Sequence, residues 1–241
     1  MADSIRVENI SKSYGKAVVL DRITLSIGEG RIYGLIGPSG AGKTTLVKGI
    51  VGIDSPDSGT IHVLGRQVPN LQLLQEIGYM AQSDALYNEL TGMENLRFFA
   101  ALYRLDKAET KRRIAYVADL VKMTDELNKK VKNYSGGMKR RLSLAIALVH
   151  DPQVLILDEP TVGIDPELRQ GIWQELHQLK REHGKTIILT THVMDEAEKC
   201  DAVALIRNGR LLTSGSPEEL KAEYGARDLE GAFLEAGRRS P

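Results

Sequence analysis

Between Arg31 and Val51 an apolar stretch, Ile32-Tyr33-Gly34-Leu35-Ile36, runs into Gly37-Pro38-Ser39-Gly40-Ala41-Gly42-Lys43-Thr44 and then into a helical pattern ending at Val51. Strand, glycine-rich loop and helix in that order leave few folds open. The loop spacing is G-x-x-x-x-G-K-[ST], a phosphate loop. Its glycines let the backbone wrap so that successive N–H groups point at one anion. The helix N-terminus that follows adds positive potential. Lys43 is expected to reach the terminal phosphates of a nucleotide and the Thr44 hydroxyl to ligate Mg²⁺. Gly37, Pro38, Ser39, Gly40, Ala41, Gly42, Lys43, Thr44 and Thr45 form the expected phosphate-binding set.

The rest of the chain alternates in the same way. The first thirty residues read as strands with a turn at Ser13-Tyr14-Gly15-Lys16, and Thr60–Leu64 and Gly78–Met80 as further strands. From about Ser83 to His150 the period becomes helical: Leu96, Phe99, Ala100 and Tyr103 share one face, Ile114, Val117, Ala118 and Val121 another. Then come an apolar strand at Val154–Leu157, a helix opened by Asp165-Pro166-Glu167, a strand at Thr186–Thr190 and a helix at Val193–Cys200. Ala202–Arg207 turns at Asn208-Gly209 into Arg210–Thr213, and Ser216-Pro217-Glu218-Glu219 is a capping box for another helix. Leu229, Phe233 and Leu234 predict a short docking helix near the end, with no extra regulatory domain. The fold class is α/β with a mainly parallel sheet, antiparallel strands at the N-terminus and an inserted helical lobe. The expected division is a core of 1–82 and 151–215, a helical lobe of 83–150 and a tail of 216–241.

Charge narrows the partners. Thirty-two basic and thirty-two acidic residues cancel, so no long-range field draws the chain to nucleic acid. The single cysteine, Cys200, excludes an internal disulfide and a cysteine-built zinc site. No apolar run reaches the length of a membrane helix, and Met1-Ala2-Asp3-Ser4 lacks a signal pattern. A cytoplasmic chain is expected, with any membrane role supplied by a partner. The basic clusters Lys111-Arg112-Arg113 and Lys129-Lys130, and the histidines His62, His150, His177 and His183, read as solvated surface.

Two further strings carry chemistry. Val154-Leu155-Ile156-Leu157-Asp158-Glu159 delivers two carboxylates at a strand's carboxyl end, where open α/β sheets bind ligands. Asp158 would hold Mg²⁺, directly or through water, and Glu159 would face an attacking water. Tyr134-Ser135-Gly136-Gly137-Met138-Lys139-Arg140-Arg141 opens an amphipathic helix. A Ser-Gly-Gly start exposes free N–H groups and a hydroxyl to an anion. Read alone, it is more simply an ordinary helix N-cap.

With that string, the chain resembles over nearly its whole length the nucleotide-binding subunit of ATP-binding-cassette (ABC) transporters. The run Ser-Gly-Gly-Met-Lys-Arg-Arg is similar to the ABC-2 type branch that exports drugs and lipids. The family's usual Leu and Gln are here Tyr134 and Met138, so nothing is inferred from the Gln position. The resemblance implies a RecA-like P-loop core, ATP and Mg²⁺ as cofactors, and ATP hydrolysis. It also implies a dimer with a second copy or a homologous subunit, and a transmembrane permease on another chain. It makes Gln82 the Q-loop glutamine beside the metal and water, and His192 the switch histidine that bonds the terminal phosphate. Tyr14 becomes the aromatic that stacks on adenine, and Ser135, Gly136 and Gly137 the signature that closes the partner's site. Val162-Gly163-Ile164-Asp165 takes the place of the D-loop, altered from the commoner Ser-Ala-Leu-Asp, with Asp165 also the helix cap. A GTPase-type switch would want Asn-Lys-x-Asp, and Asn128-Lys129-Lys130-Val131 fails that pattern. A translation or repair ATPase would want two cassettes or a long coiled coil. Neither the cargo nor the choice between homodimer and heterodimer follows from these residues.

Overall fold

The computed structural model describes residues 3–83 and 85–239. Its strands are β1 (Asp3–Tyr14), β2 (Ala17–Gly28), β3 (Ile32–Ile36), β4 (Ser58–Val63), β5 (Arg66–Gln67), β6 (Ile77–Met80), β7 (Val154–Asp158), β8 (Thr186–Thr191), β9 (Ala202–Arg207) and β10 (Arg210–Gly215). They form an antiparallel sheet in the order β2-β1-β4-β5 and a six-stranded sheet in the order β10-β9-β3-β8-β7-β6. In the larger sheet all pairings are parallel except β10 with β9. The helices are α1 (Lys43–Val51), α2 (Gly92–Leu102), α3 (Lys107–Leu120), α4 (Gly136–Leu148), α5 (Pro166–His183), α6 (Met194–Ala197), α7 (Pro217–Tyr224) and α8 (Leu229–Arg239).

Every residue of β3, β7 and β8 is buried, as a parallel sheet covered on both faces requires. The period-2 pleat sends alternate residues to opposite layers. Leu155, Leu157, Ile187 and Leu189 join α4 and α5 in one apolar cluster, and Val154, Ile156 and Ile188 join α1 and the antiparallel sheet in the other. Parallel pairing has a second consequence. The carboxyl ends of β3, β8, β7 and β6 lie side by side, so the segments leaving them start along one edge.

The caps form as the sequence predicts. The Asp165 carboxylate accepts the Leu168 N–H at 3.0 Å, and Ser216 with Glu219 makes a full capping box. Four expectations differ. The segment Val193–Cys200 holds only the four-residue α6; beyond it Lys199 and Cys200 donate to Glu196 and Ala197, i to i−3, as the chain tightens toward β9. The stripe that seats α8 is Leu229, Ala232 and Ala236; Leu234 lies off that helical spacing and is exposed. Arg113 is buried, not solvated: its guanidinium donates to the Leu148 and Val149 carbonyls at 2.6 and 3.1 Å, closing the C-terminal end of α4.

His150 is the fourth. It stacks on Tyr103 with ring centroids 3.6 Å apart, and Nε2–H donates to the Ile77 carbonyl at 3.1 Å. Nδ1 is buried without a partner. Burial pushes the imidazole pKa down from 6.5 to about 4, so the folded ring is neutral where the unfolded ring takes a proton. The contribution is therefore complete above the unfolded value of 6.5 and is lost as pH falls toward 4. The ceiling on that loss is about 3 kcal/mol. Urea titrations between those pH values should show wild-type stability falling more steeply than that of His150→Phe. Parallel curves would contradict the assignment.

Candidate active site

Four neighbouring strand ends build the site. β3 ends at Ile36 and opens into the phosphate loop; β8 ends at Thr191 before His192; β7 ends at Asp158 before Glu159; Gln82 follows β6 by two residues. The loop shape depends on two glycines. At Gly37 a Cβ would lie 2.1 Å from the Ile206 carbonyl oxygen. Gly42, the N-cap of α1, has φ +100°, and a Cβ there would meet Val19 O and Leu20 Cδ2 at 2.8 Å. Pro38, Ser39 and Gly40 face solvent, while Ala41 is buried. Lys43 Nζ donates to Gly37 O at 2.6 Å and Pro38 O at 3.0 Å. Burial lowers its pKa, partly offset by the charges of Glu159 and Asp158. A cation that exchanges two neutral carbonyls for phosphate oxygens gains charge-assisted bonds.

Glu159 is held from two sides. His192 Nδ1 lies 3.1 Å from Oε1, and Gln82 Nε2 donates to Oε2 at 3.3 Å. Its N–H donates to the Thr190 hydroxyl at 3.0 Å. Asp158 beside it is buried; Thr190 Oγ1 donates to its Oδ1, and Oδ2 has no hydrogen-bond partner. An unpaired carboxylate oxygen in the interior is costly unless something binds it. It fits a divalent cation. No group of three or more His, Cys, Asp or Glu side chains suited to a metal occurs among the described residues. The side chains that could hold it are the Asp158 carboxylate, the half-buried Thr44 hydroxyl and the Gln82 amide oxygen, leaving further positions for phosphate and water oxygens, as Mg²⁺ prefers.

Tyr14 sits at the end of β1 with its ring half exposed. Its hydroxyl donates to Asp54 Oδ2, which raises the phenol pKa. Lys12 Nζ lies 5.4 Å from the ring centroid and 2.7 Å from Asp54 Oδ1. Ser135 is exposed as the N-cap of α4, its hydroxyl accepting the Met138 N–H at 3.2 Å. Gly136 has open space around it. Among the described residues, no hydrogen bond is found from the Ser135–Gly137 turn to the Glu159 side chain. Tyr134 is buried, its hydroxyl donating to the Glu126 carbonyl at 2.8 Å, and Gly92 is kept free of a Cβ by that hydroxyl. Sequence reasoning missed Thr190, Asp54 and Arg140. The one available signal was Thr190, a polar residue in a strand whose every position is buried.

Comparisons with known proteins point to one family. The Nod factor export ATP-binding protein I of Sinorhizobium fredii is 44% identical over 220 residues, which are 90% of this chain and 64% of that protein. The chain thus spans somewhat less than two thirds of that relative. The solved structure of an ATP-binding subunit of an ABC transporter superposes with a TM-score of 0.89 at 29% identity, covering 97% of this chain and 99% of the other. A dimeric ATP-binding cassette in a post-hydrolysis state with ADP and Pi superposes at 0.83 and 26% identity, covering 88% and 98%. The ABC transporter family model matches residues 20–162, a span that holds both the phosphate loop and the Asp158–Glu159 pair. Matched over more than half its length, the chain belongs to the ABC transporter family.

Proposed function

We propose that this chain is the ATP-binding and ATP-hydrolysing subunit that drives an exporter, working at the inner face of a membrane through a separate permease. The observation that carries this reading is the Glu159 carboxylate, aimed by Gln82 and His192 beside the unpaired Asp158 Oδ2. Glu159 polarises the attacking water, and His192 holds both Glu159 and the terminal phosphate in place. Lys43 and the loop N–H groups neutralise phosphate charge, so catalysis is positioning and electrostatic stabilisation. Asp158, Thr44 and Gln82 would hold Mg²⁺, which when bound supplies charge neutralisation between the phosphates. Tyr14 stacks on the base, with Asp54 steadying its ring.

The exposed Ser135–Gly137 helix start has N–H groups and a hydroxyl to offer but no anion of its own. In a two-fold dimer it closes the partner's nucleotide site, with Asp165 near the junction. The dimeric cassette of similar fold supports this arrangement. No helix among the described residues is long and apolar enough to cross a membrane, so coupling runs through a surface. In the loop after Gln82, Leu86 and Leu90 are half buried, and Leu86 packs against the core. Asp84 of the same loop lies outside the described residues. The exposed apolar side chains are Tyr87 and its edge-on neighbour Phe98, centroids 4.8 Å apart, with Leu102 close by in sequence. Such clusters mark partner sites, and this one suits a permease helix. A Tyr87→Ser, Phe98→Ser variant should keep its basal ATPase and melting temperature but lose copurification with the membrane subunit. Retained copurification would argue against the docking site. A purified wild-type chain without ATPase activity would argue against the function.

A further inference from the structure

Arg140 lies five residues beyond Ser135 on α4 and is 7% exposed. Its Nη1 donates to the Ala81 and Gln82 carbonyls at 2.8 and 3.0 Å; its Nη2 donates to the Glu159 carbonyl at 2.5 Å and to the Asp158 carbonyl. One guanidinium therefore clamps the backbone of both segments whose side chains meet at the Glu159 carboxylate. A buried cation is tolerated only when hydrogen bonds replace its water, and four carbonyls do so here. The planar, multi-donor fork of arginine suits that demand; the single ammonium of lysine does not.

The segment it grips needs outside restraint. Glu159 has φ +52°, a left-handed backbone that is unfavourable for a non-glycine residue. Its N–H is fixed by Thr190 and its carbonyl by Arg140. Hydrogen bonds from β8 and from α4 thus hold the strained residue.

We propose that Arg140 is a positioning residue that makes the Ser135–Gly137 helix start and the Gln82–Glu159 backbone one rigid unit. The cradle that this subunit offers to its partner's nucleotide then moves together with the subunit's own hydrolytic glutamate. Nucleotide in one site, sensed at Gln82 and Glu159, changes how well the other site closes. The inference rests on the composite-dimer reading above, since only there does the start of α4 serve a second nucleotide.

The test uses the full chain, with Arg140→Met and Arg140→Lys, following ATPase rate against ATP concentration together with thermal melting. Loss of the clamp should lower kcat at least about tenfold, change KM by less than about threefold and bring a wild-type Hill coefficient above 1 down to about 1. Arg140→Lys should recover part of both kcat and cooperativity, and it carries the test if Arg140→Met does not fold. Folded variants with wild-type kcat and Hill coefficient overturn the proposal. So does a fall in melting temperature with the Hill coefficient unchanged, which marks a plain structural tether. A separate control uses Glu159→Gln with ATP. If it does not dimerise, the composite reading fails and takes the proposal with it. If it dimerises while Arg140→Met behaves as wild type, only the role of Arg140 is lost.

Discussion

Glu159→Gln is expected to cut ATP turnover by about 10²–10⁴-fold, the range for losing a general base, while leaving ATP affinity within about threefold. Glutamine keeps the volume and planar shape of the side chain. Its carbonyl oxygen still accepts from Gln82 or His192, so the 3.3 and 3.1 Å contacts have a counterpart in the variant. What disappears is the negative charge that polarises water. Lys43 and the phosphate loop are untouched, and binding persists without hydrolysis. The variant should therefore accumulate as an ATP-loaded dimer, visible by size-exclusion chromatography with light scattering. Because the Glu159 charge raises the Lys43 pKa against its burial, the variant lysine should titrate lower than the wild-type one. A Glu159→Gln enzyme with near wild-type turnover would remove Glu159 from the chemistry.

Local pattern carried the fold a long way and then stopped. β3, the phosphate loop and α1 follow from strand hydrophobicity and glycine placement, and β7 from an uninterrupted apolar run. The Asp165 and Ser216 caps were legible because capping chemistry involves residues only three apart. The export ATP-binding relative and the superposed cassettes agree with the family resemblance drawn from Ser135-Gly136-Gly137 and its neighbours. The polar interior was not legible. Arg113 lies in a run of three basic residues, yet its partners are carbonyls 35 and 36 positions away. His150 is buried by Tyr103 and Ile77, neither near it in sequence. Arg140 reaches four carbonyls on two other segments. In each case tertiary contact decides whether a cation or imidazole is hydrated, and no periodicity encodes it.

The candidate site shows the same boundary. Spacing alone identifies the phosphate loop, because all its ligating groups are contiguous. Gln82, Glu159 and His192 stand on three separate segments, and one glutamine or one histidine after a strand has no distinguishing pattern. Their meeting depends on β6, β7 and β8 being parallel neighbours. Register, which a single sequence does not display, brings those strand ends together. Leu86 shows the same limit: an apolar residue in a loop, it packs against the core, and the exposed patch begins one residue later at Tyr87.

In the proposed dimer each hydrolytic site takes Lys43 from one subunit and Ser135–Gly137 from the other. Lys43→Ala removes the phosphate cation from a subunit's own loop, and Ser135→Arg fills the exposed start of α4, where the side chain meets solvent and the loss is one helix cap. Either variant alone has two defective sites per dimer and should be nearly inactive. When both are purified, mixed in equal amounts and allowed to exchange, half of the dimers are hybrids. Each hybrid has one site carrying both defects and one carrying none. Measured ATPase should rise to about a quarter of the wild-type rate if the sites act independently in a two-fold dimer, and to less if both must close together. The rate should follow the hybrid fraction as the mixing ratio is varied, peaking at equal amounts. Activity that stays at the sum of the two variants alone at every ratio, with hybrids verified by mass, would contradict a site shared between subunits.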